Sequence, residues 1–455
     1  MTQHRIVRSP KRRLALAALA ASVMASLALP FAFAGEFPSA ASGSPGTVTP
    51  AVETQPEFDD TAGGEADADD PAIWVHPDRA DDSIVLGTLK NAGLSVFDLD
   101  GEQIQRIAAP AAPGPEDEPG RFNNVAVLQK ASLGRAKRDI AVVTDRGRDQ
   151  LRIFAISPDA AEKKTQPLTD ITDPASPFLF SKDQAEVNKQ FNAYGLALFE
   201  RKKEVYALVS REHTPTLGLF RLQARADGSV GYERVRTADM PTTFDLPDGT
   251  TFTPCEDPGE APQQEGLVVD AEEGVAYIGQ EQVGLWRVDA TLKSFEPQLI
   301  DKAKEFGVPA TFNPETEECE VSGPDPGFGG KNLSTDVEGV ALVETDDDEG
   351  FLVVSSQGNN SYAVYQRAGE NEFVGRFTTA NGQGDVDATE ETDGLDVANA
   401  PLGRFGKGLL VLADGKNTPD VPGEAGEPRD NTNFKFVGLD DVAAAFDPPL
   451  DIETD

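Results

Sequence analysis

Short apolar runs separated by turn residues cover most of the chain, and six of these runs open in the same way. In each, a polar or acidic residue precedes a small residue and then an apolar run. The six openings are DDPAIWV at Asp70, NNVAVL at Asn124, YGLALF at Tyr194, EGLVVD at Glu265, EGVALV at Glu338 and DGLDVA at Asp393. Consecutive openings lie 54 to 73 residues apart, a spacing that indicates a repeat architecture.

Each repeat predicts short antiparallel strands rather than helices. The β-rich runs of the first repeat are AIWV, SIVLGTL, GLSVFDL and EQIQRIA, and Asp100-Gly101 marks a tight hairpin between the last two. Four such strands in each of six repeats predict an all-β, six-bladed β-propeller, because each small sheet must bury its faces against its neighbours around a central channel.

The last repeat offers a test of this architecture. After DGLDVA, GLLVLAD and NFKFVGL it runs into DDVAAAFDPPL, which has no fourth strand. We expect the segment Thr47 to Thr54 to supply that strand, which would close the ring and cover an exposed sheet edge.

Propeller geometry also predicts which side chains meet at one mouth of the channel. The innermost strand of each blade leads away from that mouth and the second strand returns to it. Strand starts carry Asp69, Asp70, Asn123, Asn124, Tyr194, Glu265, Asp336, Glu338 and Asp393, and second-strand ends carry Lys90, Asp145, Arg146, Arg211, Glu212, Glu281, Gln357 and Asp414. The basic residues come from the first three blades and most carboxylates from the last three.

Clustered carboxylates repel one another unless a cation lies among them. Oxygen ligands without histidine favour Ca²⁺ over Mg²⁺ or Mn²⁺, with Zn²⁺ least favoured. Bound cations beside Lys90, Arg146 and Arg211 would suit a multiply charged oxyanion, above all phosphate. The alternative is that propeller mouths are commonly polar and that an acidic chain scatters carboxylates everywhere. His76 and His213 are interpreted as ordinary turn or loop residues.

The N-terminus predicts export. Five basic residues precede an apolar run from Leu14 to Leu29 and an A-x-A cleavage site after Ala34. We expect a signal peptide at 1–34, a flexible segment at 35–46 and a single domain at 47–455, secreted or periplasmic. Loss of the leader leaves 35 of the 40 basic residues against 78 acidic ones, a net charge near −43. This charge disfavours nucleic acid and membrane partners, and nothing demands more than a monomer.

Cys255 and Cys319 are the two cysteines of the chain. In an oxidising compartment two cysteines on neighbouring long loops favour a disulfide, and neither has a histidine partner for thiol chemistry.

Several motifs together resemble the β-propeller phytases, the alkaline, calcium-dependent 3-phytase family. They include DADDPAIWVHP, NNV, TDRG, YGLALF, EGLVVD, DVEGVAL, SSQGNNSYAVYQR and TDGLDV, within a resemblance that runs from about Glu53 to Val437. The resemblance implies a six-bladed propeller that hydrolyses phytate, with several Ca²⁺ ions serving both fold and catalysis.

The resemblance also implies residue roles. Residues that hold substrate phosphate or line the cleavage site are Lys90, Arg146, Tyr194, Arg211 and Glu212. Those of the catalytic calcium region are Asp69, Glu265, Glu281, Asp336, Glu338, Gln357 and Asp393, with Glu265 also counted as catalytic. Asp70 with the carbonyls of Pro71 and Val125 resembles a structural calcium site, and Asp387 resembles part of another.

The chain departs from the family at two positions, with Asn91 and Arg211 where the family often has lysine. Arg211 keeps the charge, whereas Asn91 loses it. We hypothesise that a water held by calcium near Glu265, Glu281 and Glu338 attacks phosphorus. A propeller lactonase-like metal hydrolase and a non-catalytic calcium-stabilised binding propeller are the alternatives.

Overall fold

Six four-stranded antiparallel sheets follow one another in a ring in the computed structural model of the chain. The structure describes residues 45–58, 67–134, 136–316, 318–345, 349–384, 386–423, 426 and 428–453. The predicted signal peptide and all but the end of the predicted flexible segment lie outside these residues. Among the described residues, no helix is both long and apolar enough to cross a membrane.

The strands are numbered in chain order. The N-terminal strands are β1 (Gly46–Val48), β2 (Val52–Glu53) and β3 (Glu57–Phe58). Blade 1 contains β4 (Pro71–Trp74), β5 (Ile84–Thr88), β6 (Leu94–Phe97) and β7 (Gln103–Ile107). Blade 2 contains β8 (Phe122–Leu133), β9 (Ala136–Asp145), β10 (Gln150–Ile156) and β11 (Leu168–Asp170). Blade 3 contains β12 (Ala193–Arg201), β13 (Glu204–Arg211), β14 (Thr216–Ala224) and β15 (Val230–Asp239), and is followed by a hairpin of β16 (Phe244–Asp245) and β17 (Thr251–Phe252).

The second half of the ring follows the same plan. Blade 4 contains β18 (Gln264–Asp270), β19 (Val275–Gln280), β20 (Gly284–Asp289) and β21 (Gln298–Lys302), and is followed by a hairpin of β22 (Ala310–Asn313) and β23 (Glu318–Val321). Blade 5 contains β24 (Val337–Glu344), β25 (Gly350–Ser356), β26 (Ser361–Gln366) and β27 (Phe373–Thr379). Blade 6 contains β28 (Leu395–Ala398), β29 (Leu409–Asp414) and, after a hairpin of β30 (Val421–Pro422) and β31 (Pro428–Arg429), β32 (Asn431–Gly438). The helices are short: Pro158–Glu162, Gln184–Val187 and Leu439–Ala444, with 3-10 turns at Ala80–Asp82, Arg146–Arg148 and Gln357–Asn359.

The N-terminal strands close the last blade, as predicted. Strand β2 pairs antiparallel with β32, Val52 opposite Phe436, and becomes the fourth strand of blade 6, while β3 pairs further along β32. The first residues of the predicted segment Thr47 to Thr54 do not join blade 6. They belong to β1, which runs parallel to β27 and adds a fifth strand to blade 5. Residues 46–53 therefore tie blades 5 and 6 together.

Buried apolar clusters hold adjacent blades together. Among the described residues there is one such cluster at each of the six blade interfaces. At the closing interface Phe434 and Phe436 of blade 6 pack with Val85 and Phe97 of blade 1. Burying these faces supplies the main driving force for the ring, at about 25 cal/mol per Å² of apolar surface.

A disulfide joins Cys255 to Cys319, with Cα atoms 6.0 Å apart. The bond links the connection between blades 3 and 4 to the connection between blades 4 and 5.

Candidate active site

The repeated sequence opening corresponds to a repeated backbone irregularity. The register between the first two strands shifts at the start of β8, β12, β18 and β24, where the pairs resume at Val125, Leu196, Leu267 and Val340. A β-bulge bends its strand and re-aims a side chain. In blades 4 and 5 the residues inside the bulge are Glu265 with Gly266 and Glu338 with Gly339. The bulges thus fix the direction of the mouth carboxylates.

The glycine of the motif is required because neighbouring blades approach closely there. A Cβ on Gly195 would lie 2.0 Å from the carbonyl oxygen of Glu265, and one on Gly266 would lie 2.1 Å from that of Glu338. Each glycine therefore packs against the acidic residue of the next blade, which brings successive carboxylates together around the channel.

Three buried glutamates meet at this mouth. One carboxylate oxygen from each of Glu265, Glu281 and Glu338 lies within 4.8 Å of the others. Burial first, and neighbouring carboxylates second, raise the pKa of Glu281 and Glu338 well above the usual range. Glu281 Oε1 and Glu338 Oε2 are buried and make no hydrogen bond with the described residues. Three converging carboxylates, two of which have an oxygen without a hydrogen bond, fit a hard divalent cation such as Ca²⁺.

Lys90 lies beside a second group of carboxylates. Its Nζ is 3.7 Å from Asp67 Oδ2, from Asp69 Oδ1 and from Asp393 Oδ2. Burial alone would lower the pKa of Lys90, but these carboxylates together raise it, so the ammonium stays charged. Gln357 Nε2 donates to Asp393 Oδ1 over 2.6 Å and joins blade 5 to this group.

Arg146 connects the basic side of the mouth to the glutamates. Its guanidinium pairs with Glu212 and lies 5.5 Å above the Tyr194 ring, while Nη1 donates to Asn123 Oδ1 over 3.3 Å. Asn123 Nδ2 in turn donates to Glu265 Oε1 over 2.6 Å, and the Tyr194 hydroxyl donates to Glu265 Oε2 over 2.7 Å. Arg146 and the three glutamates thus belong to one connected set of side chains.

The match to a known family includes strands of all six blades. The model of a family described as Phytase matches residues 13–245 and 259–455. The chain belongs to the phytase family. It is similar to the 3-phytase of Bacillus subtilis (strain 168), with 32% identity over 403 residues, 86% of this chain and 84% of that protein.

Two solved propellers are much more remote from this phytase-family chain. The β-propeller domain of Myceliophteria thermophila Cps50 (Swd1) has 11% identity and a TM-score of 0.37, covering 82% of this chain and 83% of its own. The RRP9 WD40 repeats have 12% identity and a TM-score of 0.40, covering 87% and 99%. Similarity at this level carries no argument about the site.

Two other predicted ligands interact electrostatically with the glutamates, because, after burial, Asp336 helps to raise the pKa of Glu281 and Glu265 helps to raise the pKa of Asp70. Asp336 immediately precedes β24, and its Oδ1 accepts a short hydrogen bond from Gln282. Asp70 is hydrogen-bonded to blade 2, because Val125 N–H donates to its Oδ2 over 2.9 Å. Asp70, Pro71 and Val125 all line the central channel.

Three predicted residues make their described contacts away from the glutamates. Arg211 Nε donates to the Phe191 carbonyl over 2.7 Å, and its Nη2 lies 3.5 Å from Glu186 Oε1. Asp387 and Asp414 lie against the ammonium of Lys435 in blade 6. The calcium role of Asp387 and the phosphate role of Arg211 stay predictions.

Lys435 is fully buried among acidic groups. Its Nζ pairs with Asp387 and lies 2.5 Å from Glu53 Oε2, 3.3 Å from Asp414 Oδ2 and 2.6 Å from Asn417 Oδ1. Burial opposes the charge of Lys435, but the carboxylates raise its pKa overall. The ammonium links β32 to β2 and β29 at the closure of the ring.

Replacing Lys435 by methionine is expected to lower the free energy of unfolding by about 3 kcal/mol, since carboxylates would be left buried without their cation. Chemical denaturation measures this loss. Lys416→Met, at an exposed lysine of the same blade, is the control and should change stability by less than about 0.5 kcal/mol. Equal stability of the two variants would show that the buried ammonium does not hold the closure.

Some residues near the mouth were not assigned a role from the sequence. Asp67 contacts Lys90, and Arg121, in the connection before β8, has its pKa lowered to about 10 by burial and then by Arg146. Glu256, next to the disulfide, has its pKa raised to about 8 by burial and then by Asp336. His213, interpreted as an ordinary loop residue, contacts Glu212. Only Asp67, within DADD, carried a sequence signal.

Proposed function

We propose that this protein is a 3-phytase, a hydrolase that releases inorganic phosphate from phytate in a calcium-dependent reaction. The observation that supports this most directly is the cluster of Glu265, Glu281 and Glu338 joined through Asn123 to Arg146 in a chain of the phytase family. A protein with a net negative charge can bind a polyphosphorylated substrate only where cations neutralise the negative charge of the protein and that of the substrate.

The buried carboxylates would hold the calcium ions. Glu265, Glu281 and Glu338 form the centre of this site, and the surrounding ligands proposed from the same mouth are Asp69, Asp336, Gln357 and Asp393. Asp70 with the carbonyls of Pro71 and Val125 is proposed as a separate structural site, and Asp387 as part of another. Bound calcium would supply charge neutralisation at phosphoryl oxygens and a lower pKa for water.

The basic residues would orient the phosphoryl group. Lys90 and Arg146 border the carboxylates on the side of blades 1 and 2, where each can donate to phosphoryl oxygens. Arg211 lies one blade further round and would contact a neighbouring phosphate of the substrate. Tyr194 and Asn123 hold Glu265 in place from both carboxylate oxygens, which keeps the site rigid as charge moves during the reaction.

The test is release of inorganic phosphate from phytate at neutral to mildly alkaline pH. We expect turnover with Ca²⁺, complete loss in excess EDTA and recovery when Ca²⁺ is restored. Turnover unchanged by EDTA would refute the calcium mechanism. Cleavage of lactones without phosphate release would favour the lactonase alternative, and a calcium-raised melting temperature without any turnover would favour a binding propeller.

A further inference from the structure

The start of β8 lies between two cationic residues of the mouth, Lys90 and Arg146. Phe122 N–H donates to the Lys90 carbonyl over 3.0 Å, and the Arg121 carbonyl accepts from Arg146 N–H over 2.7 Å. Arg121 N–H also donates to Asp145 Oδ1 over 3.0 Å, and Phe122 is buried. The backbone of Arg121 is therefore fixed between the two cations proposed above to orient the phosphoryl group.

Close packing holds this segment against the turn that carries Arg146. A Cβ on Gly147 would lie 1.9 Å from the carbonyl oxygen of Pro119 and 2.9 Å from the backbone nitrogen of Arg121. Any side chain at position 147 would push the two segments apart. Gly147 therefore lets Arg121 and Arg146 lie side by side although their charges repel each other.

The Arg121 side chain reaches toward blade 1. Its Nη1 donates to Asn91 Oδ1 over 3.3 Å, and Asn91 lies in the connection between β5 and β6, directly after Lys90. The amide oxygen of Asn91 accepts this hydrogen bond without carrying a charge, so Asn91 orients the guanidinium and does not neutralise it. A guanidinium presents its N–H donors as a planar fork, which matches the oxygens of a phosphate.

The electrostatics of this corner of the mouth favour an anion. Burial first, and the charge of Arg146 second, lower the pKa of Arg121 to about 10, so the guanidinium stays charged at neutral to mildly alkaline pH. Glu212 and Glu265 act in the opposite direction, but Glu212 is paired with Arg146 and Glu265 accepts from Asn123. Cations that the fold holds together against repulsion favour an anion, just as clustered carboxylates favour a cation.

We propose that Arg121 is a substrate-binding residue that holds a phosphate next to the one being cleaved, on the side of blade 1, with Asn91 orienting its guanidinium. The inference rests on the proposed phytase function. A substrate with several phosphates can contact Lys90 and Arg146 through one phosphate and Arg121 through another, whereas a substrate with one phosphate cannot. Arg121 would thus favour polyphosphorylated substrates over singly phosphorylated ones.

Arg121→Gln is expected to raise KM for phytate about tenfold and to leave kcat within about threefold, because the lost contact is to a phosphate that does not react. The apparent affinity for phenyl phosphate, measured as a substrate or as a competitor of phytate, should change by less than about twofold. Binding of myo-inositol hexasulfate, followed by calorimetry without turnover, should weaken about tenfold. The control is Arg404→Gln, which removes one exposed positive charge from the connection between β28 and β29 and should change none of these values.

Two further variants test whether the charge of Arg121 is what matters. Arg121→Lys keeps the charge but loses the planar fork, and should raise KM for phytate by only about threefold. Asn91→Lys places an ammonium beside the position of the lost guanidinium, and in the Arg121→Gln background it should return KM to within about threefold of the unmodified protein. A residue that only holds β8 in place could not be replaced by a charge on the neighbouring blade. Melting temperatures of all variants establish that they fold.

An unchanged KM for phytate in Arg121→Gln would overturn the proposal, and so would equal losses of affinity for phytate and for phenyl phosphate. A rise in KM that Asn91→Lys does not reduce would also overturn it, because Arg121 would then act only through the local structure. Absence of phosphate release from the unmodified protein would instead refute the proposed function, while the hexasulfate measurement would still test Arg121.

Discussion

Glu338→Gln is expected to reduce phosphate release from phytate by about a thousandfold, the scale on which removal of one electrostatic group from a reaction site acts. The substitution keeps the size of the side chain but removes one of three converging carboxylates, including a buried oxygen that makes no hydrogen bond with the described residues. A cation bound there would lose a charged ligand next to the phosphoryl group. Steady-state phosphate release at saturating Ca²⁺ measures the loss.

Glu344→Gln is the matched control, because Glu344 is an exposed glutamate at the other end of the same strand, β24. This variant should stay within about twofold of the unmodified protein, as expected for a surface substitution away from the site. Circular dichroism of both variants should match the parent. Full activity in Glu338→Gln would remove Glu338 from the reaction site.

The number of blades and the closure were predictable because local pattern and topology agree. Acid-glycine openings recur where β18 and β24 begin, and the missing fourth strand of blade 6 required a partner from the N-terminus. The parallel pairing of β1 with blade 5 was not predictable. Gly46 lies against the backbone of Ala445, where a Cβ would be 2.3 Å from the carbonyl oxygen, and only the folded ring brings that contact about.

The sequence predicts at which end of the channel the candidate site residues lie, but only partly where their side chains point. Strand order places a residue near one mouth, and the bulges then aim Glu265 and Glu338 at each other. At Asp414, also the last residue of a second strand, the side chain instead meets Lys435. Strand position alone does not distinguish these outcomes, because successive side chains of a strand point to opposite faces.

The long connections between strands also limited how much of the site could be predicted from the sequence. Arg211 ends a second strand as expected, yet Glu186 of a short helix between blades 2 and 3 lies beside its guanidinium. His213 likewise gained its contact with Glu260 from a loop 47 positions later in the chain. Such loops carry no periodic pattern, so their docking depends on tertiary contacts that a single sequence does not display.

Calcium is expected to raise the melting temperature strongly at pH 8 and weakly near pH 4.5. Burial, and after it the neighbouring carboxylates, raise the pKa of Glu281 and Glu338, so without a cation the fold favours their protonated forms. Stability in EDTA should therefore fall as pH rises from the unfolded glutamate pKa of about 4.3 toward the raised folded values. Ca²⁺ binds the ionised carboxylates and offsets this loss by about 2.7 kcal/mol per site at a hundredfold excess over Kd. Calorimetry with EDTA or CaCl₂ across this pH range measures the difference.

Glu338→Gln should raise the melting temperature in EDTA, because one repelling charge is gone, and should shrink the calcium-induced rise. A rise that is the same at both pH values and unchanged in Glu338→Gln would place the stabilising calcium away from the three glutamates.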